Sequence, residues 1–209
     1  MRPYTKPDNR QMAMTLVIFA CFLPACRQDG HSQARQALNA QLTERHECQA
    51  RSLEQYRLAA MAYEKNDLES ARSHIDKAIQ SYSRNAEAWM LLGLIEQKED
   101  RVFEAASSFH RASLLAPDRY EPLYNIGILL ESFGRYRQAI ESYQAALKLS
   151  PEQLEVMENL ARCHIRSGTN LDQARKLIDQ ALLAERRPQW RQWLSQQSHQ
   201  LAMRKSRYQ

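Results

Sequence analysis

The side chains of this sequence that could act as nucleophiles, acid–base groups or metal ligands are few and poorly spaced for it. The cysteines are Cys21, Cys26, Cys48 and Cys163; the histidines are His31, His46, His74, His110, His164 and His199. No two histidines stand three or four residues apart, the spacing that puts side chains on one helix face. His46-Glu47-Cys48 is too compact for the loops that usually hold zinc. A thiolate–imidazole pair would need Cys163 and His164 to face each other, yet adjacent helix residues point in different directions. No phosphate-cradling glycine loop is present. The sequence therefore predicts no catalytic residue, no metal ligand and no cofactor, and leaves binding as the chemistry to be explained.

The elements that position these side chains are predicted to be helices. Only five glycines and seven prolines occur in 209 residues, and hydrophobic residues make up 44%, enough for a real core. Ala, Leu, Gln, Glu and Arg, all good helix formers, are plentiful. The net charge of +5 arises from 29 basic against 24 acidic groups, a mixed surface rather than a nucleic-acid footprint. Arg186, Arg187, Arg191, Arg204, Lys205 and Arg207 gather near the end. They read as the solvated face of a capping helix, and no nucleic-acid partner is expected.

The chain repeats itself, which sets the fold class. At an offset of 34, Trp89 matches Leu123, Leu92 matches Ile126 and Gly93 matches Gly127; Ala105, Phe109, Ala112 and Pro117 match Ala139, Tyr143, Ala146 and Pro151. Weaker copies flank this pair. Leu58, Ala59, Ala71, Ile75 and Ala78 hold the offset upstream. Leu160 and Ala161 hold it downstream, while Ala174, Ile178 and Ala181 arrive one residue late. The extra residue falls in Ser167-Gly168-Thr169-Asn170, a turn where insertion costs little.

Trp89, Leu92 and Gly93, with Ala105, Phe109, Ala112 and Pro117, resemble the tetratricopeptide repeat in identity and spacing; Glu96 and Leu130 depart from a tyrosine of that pattern. The resemblance covers about residues 52–187. It implies an all-α, right-handed superhelical stack of four helical hairpins (52–85, 86–119, 120–153 and 154–187), followed by a capping helix and basic tail over 188–209. Small residues such as Gly93 are expected where helix backbones approach, and large ones such as Trp89 between hairpins. Gly134 and Gly168 suit the turns, and Pro117 and Pro151 are expected to open the following unit. One hairpin cannot bury its apolar face alone, so the stack runs on. Pro188 starts a segment whose Trp190, Trp193, Leu194, Gln197 and Leu201 should cover the last hairpin, with Arg191, Gln192, Ser195 and Gln196 in water.

In such proteins the first helices of the hairpins line a concave groove. Carried over place by place, the resemblance gives Tyr56, Ala60 and Tyr63, then Met90, Leu94 and Gln97. The third repeat supplies Tyr124, Asn125, Ile128 and Glu131, and the fourth Glu158, Asn159 and Arg162. Aromatic and Met-bearing concave surfaces suit extended or helical peptides. The lysine-rich carboxylate clamp of the chaperone-binding members is absent; only Asn125 matches a piece of it. Cys48 and Cys163 fall near opposite ends of the stack, too far apart to bridge. Cys163 is expected as a buried thiol and Cys48 as an unpaired one, with a bridge between two chains through Cys48 as the alternative.

The N-terminus reads as a targeting segment. Arg2, Lys6 and Arg10 precede an apolar run from Met12 to Leu23, too short to span a hydrocarbon core, which needs roughly 20 residues. Leu23-Pro24-Ala25-Cys26 resembles the lipobox of bacterial lipoproteins, with Pro24 a departure. The resemblance implies a signal peptide over 1–25, acylation of Cys26 and membrane anchoring by several chains. Arg27 after the cysteine, in place of Asp, favours the outer membrane, facing the periplasm; ordinary cleavage to a soluble periplasmic product is the alternative. Residues 26–51 read as a tether, helical from about Ser32. The combined expectation is a non-catalytic adaptor that holds a segment of another envelope protein, resembling the small repeat lipoproteins of pilus and secretion assembly. A scaffold for cell-wall enzymes is the competing reading.

Overall fold

The computed structural model describes residues 23–206. Over those residues every regular element is an α-helix: α1 Leu23–Glu64, α2 Leu68–Ser81, α3 Ala86–Lys98, α4 Val102–Leu115, α5 Glu121–Ser132, α6 Tyr136–Leu149, α7 Leu154–Ser167, α8 Leu171–Ala184 and α9 Pro188–Ser206. Contacts divide the chain into two units, Met1–Ala50 and Arg51–Gln209. In the first, residues 31–47 of α1 are exposed, and Thr43 Oγ1 donates to the Asn39 carbonyl at 2.9 Å. The tether helix expected from Ser32 thus starts at Leu23. The expected leader up to residue 22 lies outside the described residues. Among the described residues no helix is long and apolar enough to cross a membrane.

The second unit is an all-α helical repeat stack, and its turns show why. Asn66, Asp100, Gly134 and Gly168 stand 34 residues apart, and all four have a left-handed backbone, with φ of 60°, 58°, 70° and 67°. Asn, Asp and Gly are the residues that tolerate this conformation. Each ends a first helix in the same way. In the first three turns the following residue donates its N–H back across the turn, from Asp67 to Ala62, Arg101 to Glu96 and Arg135 to Leu130, at 2.8–2.9 Å. These bonds satisfy carbonyls that the helix end leaves open. In the fourth turn the inserted residue is absorbed by Asn170, itself left-handed at φ 43°. Its side chain accepts from Gln173 N at 3.1 Å and caps α8. Ala174, Ile178 and Ala181 are consequently buried despite their late arrival.

Within each hairpin the core is made of alanines facing one large side chain. Ala71, Ala78, Ala105, Ala112, Ala139, Ala146, Ala174 and Ala181 are all fully buried. The glycines do something other than admit a backbone. A methyl on Gly93 would lie 2.6 Å from ring carbons of Phe109, and one on Gly127 would run into the ring of Tyr143. Where the second helix carries Ile instead, at Ile75 and Ile178, the matching place is Ala59 and Ala161. The glycines are therefore sockets for aromatic rings. One further expectation changes, and one place differs between repeats. Leu58 is 37% exposed while Leu92 and Leu160 are buried; repeat one opens the unit, and no hairpin of that unit precedes it to cover this place. Pro117 and Pro151 sit just past the ends of α4 and α6, in turns. There they stop helices rather than start them. Pro122 occupies the first turn of α5.

The helix α9 packs its buried Leu194 and Leu201 into the cluster formed by Leu177, Ile178 and their neighbours. Leu194 continues the series Leu58, Leu92, Ile126, Leu160 at the same offset of 34. By that offset α9 stands in register with the first helices of the four hairpins.

Candidate protein-binding groove

The groove places fall on corresponding turns of α1, α3, α5 and α7, and the structure sorts them into two kinds. Tyr56, Ala60, Tyr63, Met90, Leu94, Gln97, Tyr124, Ile128 and Arg162 are half-buried, open on one side. Asn125, Glu131, Glu158 and Asn159 are buried, the most enclosed being Glu158 at 2% exposure. Their burial has a common cause: each reaches across to the neighbouring repeat or cap. Asn125 Nδ2 donates to the Glu121 carbonyl at 3.0 Å and lies 3.9 Å from Met90 Sδ. Asn159 Nδ2 donates to the Tyr124 hydroxyl at 3.2 Å. Glu158 lies 3.6 Å from Arg187, in the segment that leads into the cap. A partner would touch the first kind; the second holds the wall together.

Charge at the groove is organised by pairs. Arg162 clamps Glu131 through both carboxylate oxygens, at 2.6 and 3.0 Å. The Tyr143 hydroxyl adds a third bond at 3.1 Å. Burial works to raise the Glu131 pKa, but these donors hold it below the ordinary carboxylate value. The same surroundings push the Tyr143 hydroxyl well above its usual range, through burial first and the Glu131 charge second. Upstream, Glu96 accepts from the Ser108 hydroxyl at 2.6 Å, and Arg72 pairs with Glu99 at 2.8 Å. Lys98 Nζ stands 4.1 Å above the Tyr63 ring, a cation–π contact that keeps one face of that ring occupied.

The candidate reactive groups are spent on structure. Burial, with Glu131 adding to it, pushes the Cys163 thiol up to about 12, so a thiolate is not present near neutral pH. His164 Nδ1 lies against the carbonyl and hydroxyl of Thr169 at 3.1 and 3.2 Å, and burial lowers its pKa. His74 bonds Gln55. Cys48 is half-buried, and among the described residues neither it nor Cys163 forms a disulfide. No group of three or more His, Cys, Asp or Glu side chains among them is arranged to hold a metal.

One part of the groove is not in the sequence-based list. As a fifth first-helix, α9 places exposed Gln192 and Gln196 where α7 has Glu158 and Arg162. Gln189, Trp190 and Trp193 then line an open cavity of about 320 Å³ together with Arg162, the two indoles meeting edge to face at 5.9 Å. The signal for this extension was the 34-residue offset from Leu160 to Leu194. It is easily overlooked because the second helix of repeat four is shifted by one.

A run of helical hairpins whose first helices line one open wall defines a helical-repeat binding protein. The chain belongs to the tetratricopeptide repeat family, which it matches over residues 56–122 and 130–196. Tetratricopeptide repeats mediate protein–protein interaction, typically as non-catalytic scaffolds. The photosystem I assembly protein Ycf3 of Cuscuta gronovii is 30% identical over 116 residues, 54% of this chain and 69% of that protein. Among solved structures, Pseudomonas aeruginosa PilF aligns with a TM-score of 0.64 at 22% identity, over 78% of this chain and 72% of that one. MamA aligns at 0.59 and 21% identity, over 63% and 76%. These two structural likenesses establish the fold.

Proposed function

We propose that this protein is a non-catalytic adaptor, lipid-anchored through Cys26 in the outer membrane and facing the periplasm. Its groove holds a segment of another envelope protein during pilus or secretion assembly. The observation that carries the groove reading is the row of half-exposed side chains Tyr63, Met90, Leu94, Gln97 and Ile128 along three successive first helices. Buried polar residues between them keep that wall fixed. A fixed wall loses little freedom on binding, which favours affinity. The partner it suits presents apolar or aromatic side chains, because the charges at Glu131 and Arg162 already satisfy each other. The anchor reading is supported by the apolar run ending at Leu23 and by Cys26 three residues on.

A photo-crosslinking residue placed at Gln97 in the full-length protein in cells tests the groove. One discrete protein adduct is expected there and none from Ser107, which is exposed on the second helix α4. Equal adducts from both positions would remove the groove from the account. The anchor is tested separately by labelling with a clickable fatty acid: label and membrane association should both disappear in Cys26→Ser.

A further inference from the structure

Between α8 and α9 the chain runs through a three-residue hinge, Glu185–Arg187. At this hinge three carboxyl groups, Glu155, Glu158 and Glu185, converge on the one guanidinium of Arg187, while its neighbour Arg186 is exposed. Glu185 is 2% exposed although it lies outside any helix. Its carboxylate accepts from the backbone N–H of Arg187 at 2.7 Å and from the Arg187 guanidinium. Glu158, also 2% exposed, comes from α7 to the same guanidinium nitrogen, its Oε1 3.6 Å from the Arg187 Nη2 on which the Glu185 carboxylate also closes. Its Oε1 is buried with no hydrogen-bond partner. Glu155, on the exposed side, is 3.9 Å from the same guanidinium. From α9, Arg191 donates to the Glu185 carbonyl at 3.1 Å. Arg162, one turn along α7, is committed to Glu131. One guanidinium thus faces three carboxyl groups, two of them buried and drawn to the same nitrogen. Two buried carboxyl groups drawn to one cation stay together when one of them is protonated and repel when both are charged.

We propose that the Glu158–Glu185 pair, sharing one proton beside Arg187, is a proton-operated latch that holds α9 against the last hairpin and thereby sets whether the groove has its fifth wall. Arg187 also stacks on Trp190 at 5.3 Å, so the hinge fixes the first turn of α9 and with it the cavity at Arg162. Burial, and then the contact with Glu185, raises the Glu158 pKa from 4.5 to about 7. Arg187 lowers that of Glu185 to about 2. A raised carboxyl contributes attachment that is complete below its free value of 4.5 and lost as pH climbs through 7. A lowered one contributes attachment present above 4.5 and lost as pH falls through 2. Both contributions hold between about pH 4.5 and 7. Above that, Glu158 ionises beside Glu185 and the hinge loosens. The effect on binding rests on the groove reading; the latch itself does not.

Hydrogen exchange of the full chain, corrected for intrinsic rates, reads the latch directly. Opening of α9 should increase about tenfold from pH 6 to pH 8, as one carboxyl moving from 7 to 4.5 on release dictates, while protection of α3–α6 stays constant. Glu158→Gln should abolish the pH dependence and keep α9 protected at both pH values. Glu185→Gln should move the midpoint to lower pH by removing the opposing charge. Wild-type α9 protected equally at pH 6 and pH 8 would overturn the latch, as would an unaltered profile in Glu158→Gln. If Glu158→Gln fails to fold, shown by lost protection in α3–α6, carboxyl-carbon NMR of wild type decides: Glu158 titrating near 7 supports the latch and near 4.5 overturns it. Loss of the Gln97 crosslink with a normal exchange profile would strike the groove reading alone.

Discussion

At the residue scale, the fold turns on matched pairs. A ring on the second helix goes with glycine on the first, and isoleucine goes with alanine. This gives a sharp expectation for Gly93→Ala. The gain in helix propensity is roughly 1 kcal/mol, but the new methyl meets the fully buried ring of Phe109. Overpacking of that kind costs about 1–3 kcal/mol, so the variant should be less stable in urea unfolding. Gly93→Ala with Phe109→Ile should recover part of the loss, because it reproduces the Ala59–Ile75 pairing. If the single variant proves more stable than the parent, the socket reading is wrong. The identities at these places were readable from the 34-residue offset; their reason was not. Periodicity shows which residues occupy equivalent places, but not that a ring lies against a glycine. The same limit explains the groove: Glu131 and Arg162 lie on different repeats, and only coordinates show that they bind each other.

At the element scale, helix ends carry the register. Asn85 caps α3, its side chain accepting from Ala88 N at 3.1 Å, and its amide also donates to the buried Ser52 hydroxyl at 2.9 Å. One side chain thus starts a helix and ties it to the preceding first helix. Asn85→Ala should cost about 1–2 kcal/mol, the upper end of a lost cap because a buried hydroxyl loses its partner as well. Asn85→Asp should keep the cap and lose only the amide donor, so thermal melts should place it between the two. Helix existence was legible from composition and spacing. The left-handed turn places were legible only at Gly134 and Gly168, because glycine signals a turn. At Asn66 and Asp100 the same conformation is held by ordinary polar residues that also occur within helices.

At the scale of the whole unit, each hairpin packs on its neighbours in sequence, so stability is a sum of local interfaces. Removing residues 188–209 should uncover the surface that Leu194 and Leu201 cover. Two buried leucines are together worth roughly 3–6 kcal/mol, and the loss should be concentrated in α7 and α8. Exchange protection in α3 and α4 should hardly change. Uniform loss across all hairpins would instead mean that the repeats fold as one cooperative block.

The central claim is that the open wall of first helices binds a protein segment. Its most direct test is the affinity of the protein captured at Gln97, purified and titrated against the parent and against Met90→Ala with Gln97→Ala. Tyr124 is unsuited to this purpose, since its ring packs against Tyr143 at 5.9 Å and its hydroxyl accepts from Asn159. The account predicts at least tenfold weaker binding by the double variant, about 1.4 kcal/mol, with its melting temperature within a few degrees of the parent. Undiminished affinity in a folded double variant would contradict it.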